Sequence, residues 1–288
     1  MIRTIQRISF LQAILILFCL FAYFTNTSII SAQESVANFD EAFNEYNLTL
    51  GEYRETHRNY VLKRAQHLKF STLNSKTEAE KATYDILSKR DEVIIKYLSA
   101  LHERVLEAEG LSQTDIDSLQ LKINDEIVWY ENHKESLSTA STLDDFVEDS
   151  ALAKQRYIKK SKSLFYEILA TISYGRISDF NERSLSLLTN VKDKLEKIRK
   201  DEREEYKLNP EQENVIDRWL FESESRVLRG EVKKQEALTL INEFYKSRKD
   251  KVQDKYLKTM TILGESQLIF KETSSNLLEV VKAIKTTQ

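Results

Sequence analysis

Four histidines, His57, His67, His102 and His133, are the residues of this chain best suited to metal binding or proton transfer, and their spacing gives neither. A bound metal needs at least three converging ligands. No His-Glu-x-x-His and no Glu-x-x-His occurs at any of the four, so the local signatures of a zinc peptidase and of a di-iron bundle are missing. The single cysteine, Cys19, lies inside an apolar run behind Phe18, which is not the position of a lipid-acceptor cysteine. Without it the chain has no thiolate ligand, no cysteine nucleophile and no disulfide. Carboxylates are so numerous that any pair of them could be named, and none is set apart by its surroundings in the sequence. The sequence therefore predicts no catalytic, no cofactor-binding and no metal-ligating residues, and a protein that is not an enzyme.

Aromatic residues offer a different chemistry. Tyr46, Tyr53 and Tyr60 stand one heptad apart and could stack a sugar or a peptide. Aromatic residues at helical spacing are ordinarily interior, with hydroxyls reaching the rim, and Trp129 and Trp219 are read the same way. If any of them acts outside the core, a partner helix suits tyrosine and tryptophan better than a sugar does. Lys159, Lys160 and Lys162 form a small basic cluster next to Leu164–Tyr174, the most apolar stretch after the leading segment. The cluster is read as a solvated face. The alternative is a membrane-active element that refolds about Gly175 to lay this stretch on lipid. Asn47-Leu48-Thr49 is a glycosylation sequon, relevant only in a eukaryotic secretory route.

The leading segment decides the compartment. Arg3 and Arg7 precede the apolar run from Ile8 to Phe24, and a polar stretch follows that ends at Ala32. A positive region, an apolar region and a small residue at the end are the parts of an export signal, so residues 1–32 are expected to be removed and the rest to work outside the cytoplasm, secreted, periplasmic or at the cell surface. An uncleaved N-terminal anchor is the rival reading. Gln12 interrupts the run and leaves a purely apolar part that is short for a membrane span. Membrane contact is then expected only through this segment, and only if it is retained.

Composition narrows the partners. The chain has 43 Lys and Arg against 46 Asp and Glu, and two of the cations lie in the leading segment. Both signs are interleaved, which argues against nucleic acid, whose binders show a clustered basic excess. With 5 glycines, 1 proline and 31% charged residues there are too few turn residues for an all-β or doubly wound fold. The expected fold is all-α: an elongated antiparallel bundle of five to seven long helices with coiled-coil-like packing.

A heptad seam opens the bundle. Val36, Phe43, Leu50 and His57 take the a positions and Phe39, Tyr46, Tyr53 and Tyr60 the d positions, with His57 a polar residue that tunes register. The stripe then shifts to Val61, Ala65 and Leu68. Ser75-Lys76-Thr77-Glu78 has the form of a capping box for a second helix, which Gly110 stops. Ser112 or Thr114 caps a third, with Ile116, Leu119, Ile123, Ile127, Tyr130 and Leu137 on one face, and Thr142 with Asp145 caps the next. Ile177, Phe180, Leu187, Val191, Leu195 and Ile198 continue the stripe beyond Gly175. Asn209-Pro210-Glu211 starts a helix whose pattern runs through Val215, Trp219, Val227, Leu238, Ile241, Tyr245, Val252 and Leu263, with Gly230 and Gly264 as possible interruptions. No linker rich in Pro, Gly or Ser appears, so residues 33–288 are expected to form a single extended bundle region without an internal boundary. The functional expectation is a structural or protein-binding protein that uses its helical faces on another protein or on itself.

Overall fold

The computed structural model describes residues 38–138, 141–200, 207–244 and 251–285. The protein is an all-α helical bundle, and no strand occurs among the described residues. The helices are α1 (38–70), α2 (Leu73–Leu106), α3 (Gln113–Ser136), α4 (Leu143–Arg156), a π-helical turn (Tyr157–Ser161), α5 (Lys162–Arg199), α6 (Pro210–Asn242) and α7 (Val252–Lys285). Val36 and the segment read as an export signal lie outside the described residues, as does Tyr245.

The described residues divide into two compact units, the first made of those up to Glu107 with those of Ile127–Phe146, the second of those in Ala108–Glu126 with those from Val147 onward. The divisions inside the chain fall at Glu107, within α3 and within α4. Two of the three therefore interrupt helices, where no run of Pro, Gly or Ser could mark them.

In the first unit α1 and α2 form an antiparallel hairpin. Lys96 pairs with Glu45, Lys89 with Glu52 and Lys63 with Glu78, so partners move toward the turn on both helices together. The turn is tighter than the capping pattern predicts. Ser71 takes a left-handed conformation (φ 48°), which makes Thr72 the first residue able to cap α2. Its hydroxyl accepts from the Ser75 amide at 3.2 Å, and Ser75 Oγ accepts from the Thr72 amide at 3.0 Å. The expected box at Ser75 and Glu78 is thus displaced by three residues, and Glu78 binds Lys63 instead. The hydrogen bond and charge of that lysine hold the Glu78 carboxyl below its ordinary range. The later half of α3 lies against α2, and Leu87, Leu137 and Phe146 pack together.

In the second unit α5, α6 and α7 form a three-helix bundle. Its three core clusters define the directions. Ala170 near the start of α5 meets Ile241 and Phe244 at the end of α6 and Val252 at the start of α7. Ile177 meets Ala237, Leu263 and Phe270. Leu188, Val191 and Leu195 meet Ile216 and Leu220 at the start of α6 and Leu277 and Val280 late in α7. Hence α6 runs antiparallel to both other helices, and α5 and α7 are parallel. The run read as one long pattern after Pro210 is two helices that fold back on each other.

Two core lines differ by one residue from the predicted ones. On α5 Leu188 is buried and Leu187 exposed, because Asn181 and Ser184 occupy the preceding core positions. On α6 Ile216 and Leu220 are buried, whereas Val215 is exposed and Trp219 only packs against the cluster from its edge. A reading that counts only apolar residues slips wherever small polar residues carry the line. Their hydroxyls are satisfied within the helix, Ser184 donating to Phe180 O and Ser223 to Trp219 O, both at 2.8 Å.

The glycines interrupt no helix. Gly175 lies inside α5, where a Cβ would stand 2.7 Å from the Glu109 carbonyl oxygen and from the Leu111 side chain. Gly110, at φ +73°, follows the end of α2 at Leu106 by several residues and sits on Gly175, whose carbonyl oxygen a Cβ there would overlap. Gly230 receives the Phe270 ring. Gly264 meets nothing within 4 Å.

Candidate functional site

Along α3 and the residue after it the buried positions are Leu119, Ile123, Glu126, Tyr130, His133 and Leu137, an unbroken alternation of steps of four and three. Two of the six, Glu126 and His133, are a carboxylic acid and an imidazole. The predicted face placed Ile127 and Ile116 on this line, but both are only half-buried, and Glu126 and His133 take the core positions. The spacing itself was the available signal: a polar residue that falls on a heptad line with apolar residues before and after it is itself interior.

In the first unit His133 Nδ1 lies 2.5 Å from Asp91 Oδ2, and Arg90 Nε donates to Asp91 Oδ1 at 3.0 Å. Asp91 is wholly shielded from solvent. Trp129 stacks on the imidazole with ring centroids 5.1 Å apart and planes at 15°. An aspartate that orients a histidine supplies two of the three members of a hydrolytic triad, but here the ring is buried and stacked on indole, so a substrate has no access to it. What the pair can do is tie α2 to α3 in one register.

In the second unit Glu126 accepts from Arg156 Nε at 3.0 Å, from an Arg156 terminal nitrogen at 2.6 Å and from Ser161 Oγ at 2.5 Å. The forked guanidinium and the serine hydroxyl together occupy the carboxylate's acceptor positions. The π turn explains how Ser161 reaches it. Core residues step from Ala153 to Ser161 to Leu164, an interval longer than a heptad, and the wide turn absorbs the extra residue. One turn away, Lys122 binds the nearly buried Glu167 at 2.9 Å. The first group joins α3 to the end of α4 and the π turn, the second joins α3 to α5 itself.

The other residues singled out in the sequence are dispersed. His57 is exposed, His67 is 3.4 Å from Ser75 Oγ and His102 adjoins Glu103. Among the described residues no three His, Cys, Asp or Glu side chains are placed to hold a metal ion. Tyr46, Tyr53 and Tyr60 are half-buried along α1, and Tyr46 packs on Tyr97 of α2 with centroids 5.1 Å apart. Lys159 and Lys160 are exposed, whereas Leu164, Ile168, Ala170 and Ile172 are core residues of the second unit. No described helix is long and apolar enough to cross a membrane. Thr49 of the sequon is buried, its hydroxyl donating to Glu45 O, and Asn47 is exposed.

Fold and site together define a helical bundle with buried ion pairs and hydrogen-bonded polar groups at the contacts between its helices. Comparison with protein-family models, curated proteins and solved structures found no match.

Proposed function

We propose that this is an exported, non-enzymatic protein that presents helix faces to another polypeptide, a second copy of itself included. The observation that carries the reading is the state of α1. The heptad pattern runs to Tyr60 before its phase shifts, yet Thr49 is the one buried residue among those described in 38–70. Phe39, Tyr46, Tyr53 and Tyr60 are half-buried on the α2 side, while Phe43, at 38% exposure, and His57 lie on the neighbouring flank. A heptad helix whose a edge is open at Phe43 and His57, with Leu50 between them half-buried, suits coiled-coil-like pairing with a further helix. The ionisable groups that could do chemistry are buried and bonded to one another, which favours a structural over a catalytic use of them. Export rests on the composition of residues 1–32.

Sedimentation equilibrium over a wide concentration range tests the self-association arm: mass should rise with concentration for the natural chain and stay monomeric for Phe43→Asp. If the natural chain is monomeric throughout, a photoreactive group at Phe43 in producing cells should crosslink a distinct polypeptide. Failure of both measurements sinks the binding reading.

A further inference from the structure

The turn between α1 and α2 stands apart from the rest of this mildly acidic chain. From Thr56 to Thr77 there is no Asp or Glu, while Arg58, Lys63, Arg64, Lys69 and Lys76 all fall there. Acids approach only from outside the stretch: Glu55 to Arg58, Glu78 to Lys63, and Glu80 to Lys76 at 3.7 Å. The same stretch exposes Val61, Leu62, Leu68 (67%), Phe70 (59%) and Leu73 (81%). Single exposed apolar side chains are ordinary, but five between Val61 and Leu73 at one turn, set among cations, make a tip suited to interaction.

We propose that this hairpin tip docks on an anionic phospholipid surface. Three observations select that occupant. The charge is complementary to acidic headgroups, which attract clustered Lys and Arg near a membrane. The apolar side chains do not share one stripe, since Val61 and Leu62 are adjacent in sequence and Leu68 and Phe70 lie two apart, so they point to different sides of α1. A partner helix would cover one stripe only, whereas a bilayer interface surrounds an inserted tip on every side. The vertical order also fits. Ser71 and Thr72 close the turn in two residues, which puts Phe70 and Leu73 at the leading edge. Arg64 follows roughly 9 Å behind Phe70 along the helix, matching apolar residues at the acyl boundary and cations among the headgroups. Lys69, with its ammonium 5.0 Å from the centre of the Phe70 ring, stands at the border. Contact is peripheral and uses a surface different from the α1 flank.

Flotation of the full chain with vesicles of phosphatidylcholine alone, or of phosphatidylcholine with phosphatidylglycerol, tests the proposal. All variants share the apolar N-terminal segment, so differences between them report the tip. Phe70→Ser with Leu73→Ser, and separately Arg64→Glu with Lys69→Glu, should each lower partitioning onto the anionic vesicles by about tenfold or more. Circular dichroism should show unchanged helix content, because all four side chains are outside the core. A polarity-sensitive dye on Leu73→Cys in a Cys19→Ser background should shift to the blue with anionic vesicles and not with neutral ones. Unchanged flotation of both variant pairs, an unmoved dye, or no vesicle binding by the natural chain overturns the proposal. Capture of an acidic polypeptide without vesicle binding overturns it equally.

Discussion

Replacing Asp91 by alanine puts the buried pair of the first unit to a direct test. The carboxylate accepts from Arg90 at 3.0 Å and meets His133 at 2.5 Å, with no solvent to take its place. Its removal leaves a cavity and takes the acceptor from two groups in the interior. Breaking a buried pair from one side costs about 3–5 kcal/mol, against a total stability of about 5–15 kcal/mol for a domain. Asp91→Leu combined with His133→Leu removes the buried pair and refills the volume, leaving only the half-buried Arg90 without this acceptor, and is expected to cost clearly less than Asp91→Ala. Trp129 supplies the assay, because it stacks on His133 at 5.1 Å. In a Trp219→Phe background its fluorescence follows urea unfolding of the first unit, and midpoint and slope give the free energy. A loss below about 1 kcal/mol for Asp91→Ala would refute the reasoning, since no buried pair could then be cut so cheaply. A double variant as unstable as the single one would show that leucines cannot replace the polar contact.

Three further outcomes are expected. Gly110→Ala should lower stability by about 2 kcal/mol or more in urea titration, because its φ of +73° disfavours a side chain and the new methyl would overlap Gly175. Gly264→Ala should raise it by up to about 1 kcal/mol in the same assay, since nothing lies within 4 Å and alanine is the better helix former. Burial pushes the Glu231 carboxyl up, but hydrogen bonds from Gln235, Lys234 and Asn181 and the charge of Lys234 outweigh it and hold the group below its ordinary range. A carboxyl depressed in the folded state stabilises above its unfolded value, and the stabilisation is lost as pH falls through the folded one. The natural chain should therefore lose more stability than Glu231→Gln between about pH 5 and pH 3, read from urea midpoints at both.

Secondary structure was legible in the sequence because its causes are local. Asn209 before Pro210 caps α6 through a box with Gln212, and Thr142 with Asp145 caps α4, as their residue types require. Scarcity of Gly and Pro left helices as the available elements. Where a local rule had competitors, only the folded chain chose: left-handed Ser71 moved the cap of α2 from Ser75 to Thr72. The buried polar groups were harder to read. Glu126 and His133 fit the core spacing of α3, yet a carboxylate and an imidazole enter a core only when partners are waiting, and Arg156, Ser161 and Asp91 come from 30 to 42 residues away. The same holds for the glycines. Gly110, Gly175 and Gly230 look like helix breakers along the chain, and what each accommodates is brought to it by a distant segment. Sequence spacing determined that each helix has an inward side, since that follows from 3.6 residues per turn, but on α5 and α6 it set the line one residue off. Tertiary structure decided which polar side chains could follow it there and which flank of α1 stayed open, because burial and coverage depend on neighbours that no local pattern encodes.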